Sequence, residues 1–147
     1  MKTKLSTAFA LTLALVMIFC STAFAAADVA EDINRANALI DHEIALAKDY
    51  ANQSTKVFMD KVSNEYILLS KGSEKLETAL SNIALYKVEY DATLDSIGNK
   101  LIALTNSISK DAINKAELSG AVVICEFVQV KLGNRTFLID PLRIISD

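Results

Sequence analysis

The sequence is poor in the residues that punctuate or decorate a fold. Its 147 residues include no Trp, one Pro, four Gly, one His and two Cys. So little Gly and Pro excludes a collagen-like or low-complexity chain. Two cysteines exclude a disulfide-dense scaffold. One His and two Cys supply no ligand set for a multi-ligand zinc or haem site. Positive charge is also short: 15 Lys and Arg meet 18 Asp and Glu, and the isoelectric point is about 5.2. That balance excludes the basic footprint of a nucleic-acid binder. What remains is apolar. The chain is 52% hydrophobic, which is too much for a disordered chain and enough for one packed domain.

The N-terminus has the three parts of a secretory signal peptide. Lys2 and Lys4 form a positive n-region, Leu5 to Cys20 an apolar h-region, and Ala23-Phe24-Ala25 a small-residue cleavage site. Cleavage after Ala25 is expected. The competing reading is an uncleaved anchor, because Leu5 to Ala27 is free of charge and about 20 residues span a bilayer. Lipidation at Cys20 is rejected because bulky Phe19 precedes it. Loss of Lys2 and Lys4 takes the basic count from 15 to 13 against 18 acidic residues, moving the net charge from −3 to −5. It also leaves Cys125 as the one cysteine, without an internal disulfide partner.

The rest divides into a helical part, 26–118, and a short β part, 119–147. The expected class is mainly α with a small C-terminal β element: a long antiparallel helical hairpin or small bundle followed by a β-hairpin. Asp28 with Glu31 resembles a capping box that starts the first helix. Ile33, Ala36, Ile40, Ile44, Ala47, Ala51, Phe58, Val62 and Tyr66 then repeat at helical spacing. Asn52-Gln53-Ser54 and Ser63-Asn64 are candidate breaks. Lys71-Gly72-Ser73 reads as the turn, with Gly72 left-handed and Ser73 capping the next helix.

The second helix carries a heptad-like seam: Leu76, Leu80, Ile83, Lys87, Tyr90, Leu94, Ile97, Leu101, Leu104 and Ile108. Lys87 interrupts it, either setting register from a core position or snorkelling outward. The helix is expected to end near Leu118, before Gly120.

Ala121 to Val130 reads AVVICEFVQV, a strong strand signal. Gly133-Asn134 then predicts a tight hairpin in which Leu132 pairs with Arg135, Val130 with Phe137 and Val128 with Ile139. Ile124, Val128, Val130, Leu132, Phe137 and Ile139 would share the inward face. A lone hairpin is marginal in water, so this one must pack on the helices, gain a strand from Leu142 to Ile145, or meet another copy.

Chemistry-bearing motifs are scarce. His42 stands alone among possible bases and ligands. Cys125, in an apolar strand, is expected to have a raised thiol pKa and poor reactivity. Glu126 falls on the apolar hairpin face, where it would be either buried or paired with Arg143 or water. Glu74 with Glu77, and Asp91 with Asp95, read as solvated helix charge. Tyr86 and Tyr90 are one turn apart and read as a core rim or a contact patch. Asn52 and Asn134 head glycan-acceptor triplets. There is no phosphate-binding loop or dinucleotide fingerprint. No catalytic, metal or cofactor residue is expected.

The plan is similar in outline to the Skp-like periplasmic holdase chaperones. Those are basic and carry strands at both ends of their arms, whereas this chain is acidic with strands only after the helices; no residue carries over. The leading expectation is a small exported, non-enzymatic interaction protein that self-associates or binds an envelope or extracellular protein. The candidate interface comprises Lys87, Leu94, Ile97, Leu101, Leu104, Ile108, Cys125, Val128, Val130, Phe137 and Ile139. The alternatives are a chaperone-like binder of exported chains and a membrane-anchored spacer; neither needs nucleic acid.

Overall fold

A computed structural model describes the backbone of residues 4–145 and the side chains of residues 28–142. The expected signal peptide lies outside the residues whose side chains are described. Helices α1 (Lys4–Ser70) and α2 (Leu76–Leu118) form an antiparallel hairpin. Strands β1 (Val122–Cys125), β2 (Val128–Leu132), β3 (Arg135–Ile139) and β4 (Leu142–Ile145) follow. The 43 residues of α2 make a rod about 65 Å long.

The turn forms where the sequence places it. Gly72 has φ +65°. Its N–H bonds Leu69 O at 3.0 Å, and the next N–H, of Ser73, bonds Leu68 O at 3.0 Å. This is a Schellman stop, and a glycine is favoured there because the left-handed conformation crowds any Cβ. Gly120, at φ +75°, ends α2 in the same way. Three local expectations fail. Ser73 does not cap α2; the cap position is Lys75, which makes no side-chain bond. Asp28 is interior to α1 rather than a cap. Neither Asn52-Gln53-Ser54 nor Ser63-Asn64 breaks the helix, because polar residues on an exposed helix face do not disturb the backbone ladder.

The four strands are one long antiparallel ribbon with an interruption. Cys125 faces Leu142 and Val128 faces Ile139. Two residues on each strand separate the ladders, so the register does not slip. The predicted pairs from Val128–Ile139 to Leu132–Arg135 all form. The run read as a single strand is split at Glu126-Phe127, opposite Asp140-Pro141. Pro141 has no N–H to donate, and its carbonyl accepts the Glu126 N–H at 3.0 Å.

The inward face changes at this interruption. Val130, Leu132 and Ile139 are buried on the helices, as expected. Ile124 and Val128, expected beside them, are 44% and 42% exposed. Val123 and Leu142 turn inward instead. Alternation along a strand fixes faces only while the ladder is continuous, and the interruption lets each half present a different face.

Two core clusters result. The central one joins Ile40, Ala47 and Ala51 of α1, Leu94 and Leu101 of α2, and Val130, Leu132 and Ile139. The basal one joins Val29, Ile33 and Ala36 to Ala112, Ala116 and Leu142. Asn37 seals the base. Its Nδ2 donates to Leu142 O at 2.8 Å and its Oδ1 accepts from Leu142 N–H at 2.9 Å. Ser109 Oγ donates to Asp140 O at 2.7 Å.

The buried line of α2 is Leu94, Gly98, Leu101, Thr105, Ser109, Ala112 and Ala116. The predicted seam therefore shifts phase: Gly98, Thr105 and Ser109 replace Ile97, Leu104 and Ile108 as the most buried positions. Small residues are needed there because the ribbon lies directly on the helix. Phe137 occupies the space that a Cβ at Gly98 would need.

Candidate interaction groove

The ribbon covers one face of the helical hairpin. On the other face, α1 and α2 leave an open groove of about 730 Å³. From α1 it is lined by Leu46, Ala47, Tyr50, Val57 and Phe58, among others, and from α2 by Tyr90, Ile97, Leu101 and Leu104. Among the described residues, no strand residue lines it. Tyr50, Val57 and Leu104 are 59%, 55% and 43% exposed. Phe58 and Tyr90 stack in its wall at 4.9 Å between ring centroids. The Tyr90 hydroxyl and Thr55 Oγ1 hydrogen-bond at 2.9 Å, so Thr55 fills the gap in the predicted α1 stripe.

Charge brackets the groove. Glu43 and Lys100 lie towards the base, on α1 and α2 respectively. Lys61 and Glu89 lie towards the turn and pair at 2.9 Å. The Lys61 ammonium also sits 4.8 Å from the Tyr86 ring centroid.

Beyond the turn end of the groove is a cluster centred on Glu65, which periodicity does not predict. Glu65 takes the inward position expected for Tyr66. Glu65 is 3% exposed and Tyr66 62%. Glu65 Oε1 accepts from Tyr86 Oη at 2.8 Å and from Asn82 Nδ2 at 3.3 Å. Asn82 Nδ2 also donates to Glu74 Oε1 at 3.2 Å. The remaining oxygens, Glu65 Oε2 and Glu74 Oε2, are buried without another donor. A proton shared between the two carboxyls would satisfy both. Accordingly, the Glu74 bond holds Glu65 below the usual carboxylate range, with Tyr86 adding to the effect. The same bond, with burial, pushes Glu74 up. Tyr86 is pushed up chiefly by donating to Glu65.

The predicted interface residues separate into groups. Leu94, Val130 and Ile139 are buried in the chain's own core, and Leu101, 4% exposed, belongs to that core with an edge on the groove floor. Phe137 is half-buried against α2, and Ile108 packs between the two clusters. Ile97 and Leu104 reach the groove. Lys87 is not a core residue; it is exposed and pairs with Asp91 at 2.6 Å. That contact is the first cause of a lowered Asp91 pKa, with Asn134 next. Val128 and Cys125 are exposed on the ribbon. Burial first, and then the Asp140 charge, push the Cys125 thiol up, as expected for a poorly reactive cysteine. Glu126 is exposed, so the buried-carboxylate alternative fails; His42 is also exposed.

Asp91 and Asp95 are more than solvated helix charge. They hold the hairpin tip: Asn134 Nδ2 donates to Asp91 Oδ1 at 3.2 Å, and Arg135 Nε lies 3.0 Å from Asp95 Oδ1. Sequence reasoning also missed Leu46, Tyr50 and Val57 as groove residues. Their spacing of four and seven was a second apolar line on α1, hidden beside the stronger buried one. Among the described residues, no cluster of three or more His, Cys, Asp or Glu is placed to hold a metal ion. The chain matches no protein-family model, no curated protein and no solved structure.

Proposed function

We propose that this is a small exported, non-enzymatic interaction protein that works through the groove face of its helical hairpin. The observation that carries the reading is the apolar groove opposite the ribbon, with Tyr50, Val57 and Leu104 turned to solvent. Apolar surface in water costs about 25 cal/mol per Å², and contiguous exposed patches mark contact sites. Export rests on the positive, apolar and Ala-x-Ala segments of residues 1–25.

The test is expression of the whole chain followed by denatured and native mass measurement of the exported fraction. The reading expects a denatured mass lacking residues 1–25 and a native species that pairs through the groove. Where the groove is unoccupied, an apolar fluorescent dye is expected to bind it, with that binding lost in Leu104→Glu. A retained N-terminus would overturn the export part in favour of a membrane-anchored spacer. A monomer that binds no dye would overturn the interaction part.

A further inference from the structure

The occupant of the groove can be argued from its charges. Each end carries one acid and one base, on opposite helices: Glu43 on α1 with Lys100 on α2, then Lys61 on α1 with Glu89 on α2. Along either helix the sign reverses from base to turn. Across either end it reverses again.

This pattern is complementary to itself. Turn a second copy over so that the grooves meet, with the two-fold axis parallel to the helices. Glu43 then meets Lys100 of the other copy, and Lys61 meets its Glu89. Place the axis across the helices instead. Glu43 now meets the other Lys61, and Lys100 the other Glu89. Both closed two-fold arrangements bring opposite charges together, which is what an isologous contact requires. A ligand with charge of one sign would find a partner for only one of the two charges at each end.

Shape and size agree. Two helical hairpins packed groove to groove make a four-helix bundle, with the strands on its outer faces. Seventeen residues line the groove, approaching the ~20–30 per side of a standard protein interface. Tyr50 and Val57, 59% and 55% exposed in the groove lining, would be covered on both copies at once. Tyrosine suits such a contact, because it offers a large apolar body and a polar tip.

We infer that the groove is the dimerisation face of this protein, occupied by a second copy to form a four-helix bundle. The inference rests on the interaction reading above and names its partner.

The test is the dimer dissociation constant of the cleaved protein, measured by sedimentation for wild type and charge variants. Leu104→Glu is expected to abolish the dimer with helix content unchanged by circular dichroism. Glu43→Lys is expected to weaken the dimer about tenfold, because like charges then meet at the rim. Combining it with Lys100→Glu restores the dimer if the axis runs along the helices; combining it with Lys61→Glu restores it if the axis runs across them. Rescue by either pair supports direct contact between copies, and rescue by neither overturns the groove-to-groove dimer. A wild-type monomer at every concentration overturns it as well. In that case, dye binding that Leu104→Glu removes leaves the interaction reading standing with a different partner; no dye binding takes both down.

Discussion

Phe137 of β3 closes onto α2 at Gly98, its ring filling the volume a Cβ would take there. Gly98→Ala gains about 1 kcal/mol of helix propensity. It also overpacks a filled site, at a cost of about 1–3 kcal/mol. Net destabilisation is expected on denaturant unfolding. In a Phe137→Leu background the same substitution becomes neutral or stabilising. Equal effects in both backgrounds would refute the contact.

Asn37 acts as a surrogate strand partner for Leu142. It returns both the N–H and the C=O of that residue across 105 positions of sequence. Asn37→Ala leaves both groups short of a partner beneath a buried Leu142. A loss of about 2–3 kcal/mol is expected, together with faster amide exchange in β1. Asn37→Asp keeps one acceptor and is expected to lose less.

The Glu65–Glu74 pair is expected to give stability an acid optimum. Glu74 is raised, so its contribution is full below its unfolded pKa and is lost as pH rises through its folded value. Glu65 is lowered, so its contribution is present above its unfolded pKa and is lost as pH falls through its folded value. The pair is best where it holds one proton. Glu74→Gln supplies a permanent donor to Glu65. Unfolding free energies across pH are expected to show a flatter alkaline limb for Glu74→Gln than for wild type. Parallel limbs would remove the shared proton.

Cys125 is exposed, yet its thiol is pushed up by local burial and Asp140. Alkylation at neutral pH is expected to be slower than for free cysteine, and Asp140→Asn is expected to speed it. Cys125→Ser should change stability by less than about 0.5 kcal/mol.

Legibility in the sequence follows the strength of the local rule. The stops at Gly72 and Gly120 and the register around Gly133-Asn134 were readable, because left-handed residues and two-residue loops are specified locally. Gly133 has φ +56° and lies against Tyr90 and Leu94. The phase of α2 was not readable. Periodicity seeks large apolar residues, whereas a helix under a closely packed ribbon needs Gly98, Thr105 and Ser109 inward. The split at Glu126-Phe127 was hidden in an unbroken apolar run, and its cause, Pro141, lies on the opposite strand. The groove showed half of itself, through Ile97 and Leu104. Glu65 gave no signal, because its donors Asn82 and Tyr86 come from the other helix.

The ribbon is shorter than the helices it lies on. Its tip reaches Tyr90 and Asp91, and from there to the turn at Gly72 the two helices have only each other. Protection against hydrogen exchange is therefore expected to be graded along the rod. It is deepest at the base, where helix and strand are sealed by Asn37. It is expected to be shallowest in the arm that carries Glu65, Glu74 and Tyr86, which has no strand laid on it. The turn end of the groove, at Lys61 and Glu89, lies on the part that the ribbon does not clamp.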